Sequence, residues 1–294
     1  MPKLVWFNGV VSPLETATIP AADHAHLYGD GLFEGIRIYG GKVFRFDEHL
    51  RRIYHGMAYL GFDETLPYEE LKATILDVCR QSEITDGYIR LNITRGTGLG
   101  LDPKNIDRKP NVMILVSTLA LYPPEAYQTG LSVITSSVRM RSPETLDPRL
   151  KVIGGYASNI LAKLEANRAG AGEALLLNGT GHISECSGDN IFLIQDSVVR
   201  TPHPSCGILK GVTRDVALEI AVEMGLRTEE TWLTPFDIYA ADEAFLTGTA
   251  AEVIPMVSLD AKPIGQGGDK GKPGPITTEI IRRFHDKTAE GTAI

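Results

Sequence analysis

Alternating apolar and polar residues in the first part of the chain predict short β-strands. Val5-Trp6-Phe7 and Val10-Val11 flank Asn8-Gly9, a pair that two-residue hairpin turns favour. Residues 36–39 and 43–46 flank Gly40-Gly41, which predicts a second hairpin. Between residues 88 and 94, strict alternation places four polar side chains on one face of a strand: Tyr88, Arg90, Asn92 and Thr94.

Helical periodicity follows the second predicted hairpin. Asp47 is a candidate N-cap for a helix that runs to Leu60, and Gly61 is placed to end it. Pro67 opens another helix, whose apolar face is formed by residues 71, 75 and 78. Further along the chain, the pattern predicts helices over 157–169, 213–224 and 276–284 and strands over 112–116, 131–138, 174–177, 191–194 and 244–247.

The Tyr122-Pro123-Pro124 step is the best candidate for a domain boundary, because two successive prolines end a regular element. We therefore predict a small domain over residues 1–122, an interdomain loop over 123–134 and a large domain over 135–294. The first domain mixes helices with strands and the second is rich in strands. This arrangement predicts the α+β fold class.

Composition and charge exclude several classes of function. The chain has 294 residues, of which 43% are hydrophobic and 22% charged, as in an ordinary soluble globular protein. A net charge of −8 argues against nucleic acid as a partner. Three scattered cysteines form neither a disulfide framework nor a zinc site, and no segment is typical of a signal peptide or a membrane span. We therefore expect a cytoplasmic protein without a membrane or metal partner.

Residue chemistry alone leaves the function open. His24 and His26 are two residues apart, a spacing that suits one face of a strand, and hydrogen-bonded histidine is a better interpretation than a metal site. Residues 207–213 are rich in glycine and run into a helix, which indicates either an anion site or a loop with an N-capping threonine. Residues 247–251 are small, which permits close approach of a ligand or a tight turn. These observations predict a two-domain protein with a candidate anion site.

Seven segments in order resemble the fold-type IV aminotransferases, which depend on pyridoxal 5′-phosphate, and especially the branched-chain amino acid aminotransferases. The segments begin with Tyr28-Gly29-Asp30-Gly31-Leu32-Phe33-Glu34-Gly35-Ile36-Arg37 and His49-Leu50-Arg51-Arg52 and continue with Tyr88-Ile89-Arg90, Lys151 with Gly154-Gly155-Tyr156, Ile183-Ser184-Glu185 leading to Asp189-Asn190-Ile191-Phe192, Gly211-Val212-Thr213-Arg214, and Gly248-Thr249-Ala250-Ala251-Glu252. The resemblance covers nearly the whole chain. It implies a fold like that of D-amino acid aminotransferase, with a small α/β domain and a larger pseudo-barrel domain that binds the cofactor.

The resemblance implies roles for the residues that would bind the cofactor. Lys151 matches the lysine that forms a Schiff base with the cofactor aldehyde and then moves a proton as general base and acid. Glu185 matches the carboxylate paired with the ring nitrogen, and Tyr156 matches the residue that hydrogen-bonds the ring 3′-oxygen. The phosphate and the remainder of the cofactor would be bound by Arg52, Leu209, Gly211, Val212, Thr213 and Thr249.

The same resemblance implies a substrate pocket. Tyr88 and backbone amides near Thr249 and Ala250 would hold the α-carboxylate, and Arg90 with Tyr28 would hold the γ-carboxylate of glutamate. Because an unpaired buried arginine is costly, Arg90 needs water or a hydroxyl partner when an aliphatic substrate is bound. Phe33 and Gly35 would form apolar walls. Other residues match a loop that reaches the neighbouring subunit or an interdomain loop, although ordinary packing would explain them equally well: Leu99, Leu101 and Tyr122.

We therefore predict a homodimeric or larger aminotransferase that transfers the amino group of L-leucine, L-isoleucine or L-valine to 2-oxoglutarate. Lys151 and Glu185 are expected to contact opposite ends of one cofactor ring. Cys186, where small residues are common, and a mixed segment after Lys151 leave other substrates open. The alternatives are a D-amino acid or (R)-amine transaminase, an aminodeoxychorismate lyase and a non-catalytic protein that has kept the fold.

Overall fold

The computed structural model describes residues 3–62, 67–107, 109–266 and 269–294, and it divides into two compact units. The first unit is built from three segments: Met1–Leu119, Leu150–Tyr156 and Thr288–Ile294. The second unit is built from two: Ala120–Arg149 and Ala157–Lys287. The chain therefore leaves the first unit and returns to it twice.

A seven-stranded sheet forms the centre of the first unit, with strand order β16-β4-β3-β5-β6-β1-β2. Every pairing among its described strands is antiparallel. The strands are β1 Leu4–Phe7, β2 Val10–Pro13, β3 Gly31–Tyr39, β4 Lys42–Val43, β5 Gly87–Thr94, β6 Asn111–Ser117 and β16 Thr292–Ala293. Along β5, the apolar residues are buried and the polar residues up to Asn92 are half-buried, as the alternation predicts.

Three helices accompany this sheet: α1 His24–Tyr28, α2 Phe46–Leu60 and α3 Tyr68–Ser82. Asp23 caps α1 through hydrogen bonds from two backbone amides of its first turn. Gly61 ends α2 in the left-handed conformation, as predicted. The apolar face predicted for α3, formed by Leu71, Ile75 and Val78, is buried.

A nine-stranded mixed sheet forms the second unit, with order β12-β11-β10-β13-β14-β7-β8-β9 and with β15 paired to β14. Its strands are β7 Leu131–Arg139, β8 Glu173–Leu177, β9 Ile183–Cys186, β10 Asn190–Gln195, β11 Val198–Pro202, β12 Arg227–Thr231, β13 Glu243–Gly248, β14 Glu252–Leu259 and β15 Lys262–Pro263. Strand β7 is parallel to both of its neighbours, β8 and β14. The predicted α+β class is therefore confirmed.

Five helices belong to the second unit: α4 Pro124–Thr129, α5 Ala157–Arg168, α6 Val212–Glu223, α7 Pro235–Ala240 and α8 Pro275–Lys287. Its core is a cluster of buried apolar side chains that includes Leu175, Ile191, Leu246 and Ile254. Among the described residues, no helix combines the length and the apolar composition that a membrane span needs. The described histidines, cysteines and carboxylates also form no cluster of three or more that could bind a metal.

Four local predictions differ from the structure. Strand β4 ends at Val43, and Arg45 rather than Asp47 precedes α2, with a left-handed φ of 48°. His24 and His26 lie on a helix, because Asp23 caps that segment. The predicted interdomain loop 123–134 contains regular structure. Pro123 is the N-cap of α4 and Pro124 is its first residue, so the two prolines begin a helix. Strand β7 then starts at Leu131.

Candidate functional site

Lys151 is positioned by a backbone contact with strand β3. The Phe33 amide donates a hydrogen bond to the Lys151 carbonyl at 3.0 Å, and Leu32 and Val152 form an antiparallel bridge. The segment 150–156 therefore belongs to the first unit, where it forms a single bridge followed by the 3-10 turn Ile153–Tyr156, although some thirty residues of the other unit separate it from Leu119 in sequence. Lys151 is fixed by main-chain hydrogen bonding at this point.

Two glycines permit this contact. Gly154 donates a backbone hydrogen bond to the Gly29 carbonyl at 3.1 Å. A Cβ on Gly29 would lie 2.5 Å from the Gly154 Cα, and Gly29 also has a φ of 71°, a conformation that side chains disfavour. The close approach of these two backbones explains why both segments of the family pattern contain glycine.

The Lys151 amine lies among neutral groups. Its Nζ donates a hydrogen bond to the Tyr156 hydroxyl at 3.0 Å and lies 4.7 Å from the centre of the Phe33 ring. The rings of Phe33 and Tyr156 meet edge to face, with centroids 5.0 Å apart. Within the described parts of the chain, Lys151 has no carboxylate partner. The amine is therefore suited to act as a nucleophile and a proton carrier.

The predicted polar face of β5 meets β3 beside Lys151. The Arg90 guanidinium carbon lies 3.5 Å from the centre of the Phe33 ring, and Arg90 pairs with Gly35 across the sheet. A Cβ at position 35 would lie 2.0 Å from the Tyr88 hydroxyl oxygen, so only glycine leaves room for that hydroxyl. Five predicted site residues are therefore brought together with Lys151: Phe33, Gly35, Tyr88, Arg90 and Tyr156. We call this group the lysine cluster.

Arg52, predicted to bind phosphate, is held by a buried carboxylate. Its Nε and Nη2 donate to Glu34 at 2.6 and 2.7 Å, and His49 Nδ1 lies 2.8 Å from the same carboxylate. Burial alone would raise the pKa of Glu34, but the charge and hydrogen bonds of Arg52 and His49 lower it to about 2. Burial lowers the pKa of His49, against the opposing hydrogen bond and charge of Glu34. The role of Arg52 toward phosphate stays a prediction.

Replacing Glu34 tests this buried network. Glu34→Gln removes the buried carboxylate that Arg52 and His49 contact, and we expect the free energy of unfolding at pH 7 to fall by about 3–5 kcal/mol. A carboxyl whose pKa falls from 4.5 to about 2 on folding stabilises the protein above pH 4.5 and loses this effect as the pH drops toward 2. The difference between variant and parent should therefore shrink between pH 5 and pH 2. Urea unfolding at several pH values measures it, and a difference independent of pH would contradict the assignment.

Tyr28 lies beside the loop that carries Leu99 and Leu101. Its hydroxyl accepts a hydrogen bond from the Gly100 amide at 3.1 Å, and His24 Nε2 lies 2.9 Å from the Gly100 carbonyl oxygen. Leu99 and Leu101 are 73% and 77% exposed. Tyr28 therefore belongs with the exposed loop, and its predicted contact with the substrate carboxylate stays a prediction.

Glu185 in the second unit is fixed by two hydrogen bonds. Its Oε2 accepts from the Leu209 amide at 2.8 Å and from Asn190 Nδ2 at 3.1 Å, and Asn190 also donates to the Leu209 carbonyl at 2.8 Å. A Cβ on Gly211 would lie 2.3 Å from Asn190 Oδ1. Three predicted cofactor residues, Glu185, Leu209 and Gly211, are therefore joined through Asn190. We call this group the Glu185 cluster.

The predicted anion site follows Gly211 directly. Gly211 is the N-cap of α6 and provides no side-chain cap, so the amides of Val212 and Thr213 belong to the first turn without an intrahelical acceptor. Such amides, with the helix dipole, attract a phosphate. Thr249 and Ala250 lie in the turn between β13 and β14, and a Cβ on the preceding Gly248 would lie 2.1 Å from Asp189 Oδ1. The predicted phosphate site therefore consists of the first turn of α6 and the turn between β13 and β14, and each of them follows a glycine.

Tyr122 is half-buried against the core of the second unit, where its hydroxyl donates to Asp189 Oδ2 at 3.5 Å. Burial and the charge of Glu173 raise the pKa of Asp189 to about 8, against the opposing effects of Lys163 and Tyr122. Burial also raises the pKa of the Tyr122 hydroxyl. Both groups therefore stay protonated at neutral pH, and the predicted contact of Tyr122 with substrate stays a prediction.

The raised pKa of Asp189 predicts a pH-dependent effect of its replacement. A carboxyl whose pKa rises from 3.8 to about 8 on folding costs stability progressively as the pH rises between these values. Asp189→Asn removes this cost, so the Tm of the variant should exceed that of the parent at pH 8 and differ little from it at pH 4. Each kcal/mol of stability gained should raise the Tm by about 2–4 °C. Thermal unfolding across this range measures it, with Asp269→Asn, at a position 94% exposed, as control. A gain that does not grow with pH would argue against the assignment.

The resemblance implies no role for four residues that contact the predicted site residues: Glu34, His49, Asp189 and Asn190. A sequence signal existed for Glu34, because a lone acidic residue inside a nine-residue strand that is otherwise mostly apolar requires a buried cationic partner. No comparable signal marks Asn190, because its partners Glu185 and Leu209 come from different turns of the chain. Only the folded backbone brings them together.

Comparison with known proteins agrees with this geometry. The family model described as amino-transferase class IV matches residues 31–259. A Methanocaldococcus jannaschii protein, provisionally named branched-chain-amino-acid aminotransferase, is 40% identical over 283 residues, which are 96% of this chain and 95% of that protein.

Solved structures agree as well. The Escherichia coli branched-chain amino acid aminotransferase matches with a TM-score of 0.91 at 33% identity, covering 99% of this chain and 95% of that one. The T.th. enzyme of the same name, complexed with N-(5′-phosphopyridoxyl)-L-glutamate, matches with a TM-score of 0.89 at 34% identity over 98% and 95% of the two chains. These matches confirm the predicted fold.

Proposed function

Because this chain belongs to the class IV aminotransferase family, we propose that it is a pyridoxal-phosphate-dependent transaminase that moves the amino group of branched-chain L-amino acids to 2-oxoglutarate. The observation that carries the proposal is the Lys151 amine, held by Tyr156 and Phe33 without a carboxylate partner among the described residues. The names of its relatives and structural neighbours support the branched-chain substrates.

The residues present suit pyridoxal phosphate. When bound, this cofactor accepts electron density from the substrate into its ring. Glu185, fixed by Leu209 and Asn190, provides a carboxylate for the ring nitrogen, and the first turn of α6 provides amides for the phosphate. Gly211 and Gly248 have no room for a Cβ, which keeps these backbone segments in place. The bound phosphopyridoxyl group in the T.th. enzyme supports the same assignment.

Lys151 performs two tasks in this proposal. Its amine would hold the cofactor through the aldehyde group, and the same amine would serve as the base and acid that moves the proton of the substrate Cα. Tyr156 accepts a hydrogen bond from Nζ and keeps the amine beside Phe33. Glu185 would hold the ring nitrogen of the cofactor, and the hydrogen bonds from Leu209 and Asn190 fix the carboxylate in place.

Substrate choice follows from Arg90 and Phe33. The guanidinium of Arg90 lies on the Phe33 ring, so one wall of the cluster combines an apolar face with a cationic edge. Such a wall accepts the side chain of leucine in one half-reaction and the γ-carboxylate of glutamate in the other. The glutamyl group in the complex of the T.th. enzyme supports the second part of this assignment.

Borohydride trapping tests the catalytic assignment. Reduction of the holoenzyme followed by peptide mapping should label Lys151, because only a lysine bonded to the cofactor is fixed by the reductant. Lys151→Ala should abolish the label and lower transamination by at least about 100-fold. Lys163→Ala, at another partly buried lysine, is the control and should keep both. Label on a different lysine would refute the proposal.

A substrate panel tests the assigned specificity. Parent enzyme should transaminate L-leucine with 2-oxoglutarate, and Arg90→Leu should lower kcat/KM for 2-oxoglutarate by about 10- to 150-fold, the effect of losing one hydrogen bond to a charged group. L-leucine itself should be affected much less, since its side chain is uncharged. Steady-state kinetics measures both. Preference for D-alanine or (R)-1-phenylethylamine would instead select a related transaminase, and pyruvate release from aminodeoxychorismate would select the lyase.

The quaternary state and location belong to the same proposal. We infer a homodimer or larger assembly, because Leu99 and Leu101 are large apolar side chains that one chain leaves mostly exposed. The free cysteines Cys79, Cys186 and Cys206 are buried, which suits a reducing cytoplasm. Sedimentation analysis of the purified holoenzyme would test the assembly.

A further inference from the structure

Asn92 is a polar residue of β5 that contacts the lysine cluster through Arg90. It lies two residues after Arg90, on the same face of the strand, and its register partner across the sheet is Phe33. Its Oδ1 accepts a hydrogen bond from Arg90 Nε at 2.8 Å. The Arg90 guanidinium is thus attached at one edge to Asn92 and covered on one face by the Phe33 ring, 3.5 Å away.

This arrangement leaves a defined part of the guanidinium for a ligand. Arginine carries five N–H donors in a planar fork, and the pair formed by Nη1 and Nη2 matches the two oxygens of a carboxylate. Among the described residues, Asn92 is the only hydrogen-bond partner of Arg90, and it uses Nε alone. Asn92 therefore fixes the plane of the fork without occupying the edge that would bind a carboxylate.

The chemical type of residue 92 matters because the proposed reaction alternates two substrates. A carboxylate at this position would neutralise Arg90 and compete with the γ-carboxylate of glutamate. An aliphatic side chain would leave Nε without an acceptor whenever leucine occupies the pocket, and a half-buried cation without a partner is costly. A neutral amide oxygen satisfies one donor in both half-reactions and keeps the positive charge.

We propose that Asn92 is a positioning residue for dicarboxylate recognition. It holds the Arg90 guanidinium against Phe33, so that the free edge of the guanidinium is ready for the γ-carboxylate of glutamate or 2-oxoglutarate. When an aliphatic amino acid is bound instead, Asn92 remains the hydrogen-bond partner of Arg90. This inference rests on the proposed function. The inference extends the proposed function because it names the residue that allows the charged Arg90 to stay in a pocket that also accepts apolar side chains.

The experiment compares dicarboxylate and aliphatic ligands on the purified holoenzyme. Asn92→Leu removes the acceptor at nearly constant size, Asn92→Gln keeps an amide, and Thr94→Val is the matched control. Thr94 follows on the same face of β5 and donates to Asp23 at 2.7 Å, away from Arg90. Calorimetry measures the Kd of glutarate and of 4-methylvalerate, which do not react, and the glutamate and leucine half-reactions are followed separately.

Asn92→Leu should raise the Kd of glutarate and lower kcat/KM for glutamate by about tenfold, which corresponds to about 1.4 kcal/mol, the order expected for a hydrogen bond to a charged group. The values for 4-methylvalerate and leucine should change less than about twofold, because these ligands do not use the fork. Asn92→Gln should recover most of the loss. Thr94→Val should alter both ligand classes equally or not at all.

If Asn92→Leu loses equal affinity for glutarate and for 4-methylvalerate, the role of Asn92 is merely structural and the inference is overturned. The inference is also overturned if Asn92→Gln binds glutarate no better than Asn92→Leu does. These outcomes are distinct from a failure of the proposed function. In that case the parent enzyme itself would transaminate neither glutamate nor leucine, and it would bind neither acid.

Discussion

The hydrogen bond from the Phe33 amide to the Lys151 carbonyl is the contact on which the candidate site depends. It attaches a seven-residue segment to strand β3 of the first unit, although the residues on both sides of that segment belong to the second unit. Without it, Lys151 would lie on a connection between units, and its amine would have no fixed relation to Tyr156, Phe33 or Arg90. The Gly29–Gly154 contact serves the same end, because it lets two backbones approach more closely than any side chain would permit.

Two acidic residues near the predicted cofactor contacts, Glu34 and Glu185, are each held by more than one donor. Glu34 is completely buried and accepts hydrogen bonds from Arg52 and His49, while Glu185 accepts from Leu209 and Asn190. Fixed donors lower the cost of a buried charge and also restrict its orientation. Asp189 has the opposite environment, with burial and a neighbouring carboxylate raising its pKa, so it is neutral where Glu34 is charged. The fold therefore sets the charge of each carboxyl through its neighbours.

Local patterns in the sequence predicted those parts of the site that depend on short-range rules. Alternation along residues 88–94 placed Tyr88, Arg90 and Asn92 on one face, and β5 has that arrangement. The glycine before α6 and the stop of α2 at Gly61 also follow from local backbone preferences. These features need no knowledge of the remaining chain, because period and capping act within a few residues.

Features set by distant contacts were beyond such rules. The proline pair at residues 123–124 is equally compatible with a stop and with a helix start, and in the structure it begins α4, which packs beside β14. The return of segment 150–156 to the first unit has no periodic signature at all. The pairing of Arg52 with Glu34 is likewise invisible in sequence, since the two residues are 18 positions apart and lie on a helix and a strand. The resemblance to a family named Arg52, but it did not name the carboxylate that orients it.

The position of Phe33 explains how two basic side chains, Lys151 and Arg90, share one small cluster. Lys151 Nζ and the Arg90 guanidinium both contact its ring, at 4.7 and 3.5 Å from the centre, and neither has a carboxylate partner among the described residues. An aromatic face stabilises a cation without neutralising it. Amino acid and 2-oxo acid substrates bring carboxylates of their own, so a cluster that already contained anions would repel them. A neutral ring and a neutral amide, Phe33 and Asn92, therefore hold Lys151 and Arg90 in place without adding an anion that would repel those carboxylates.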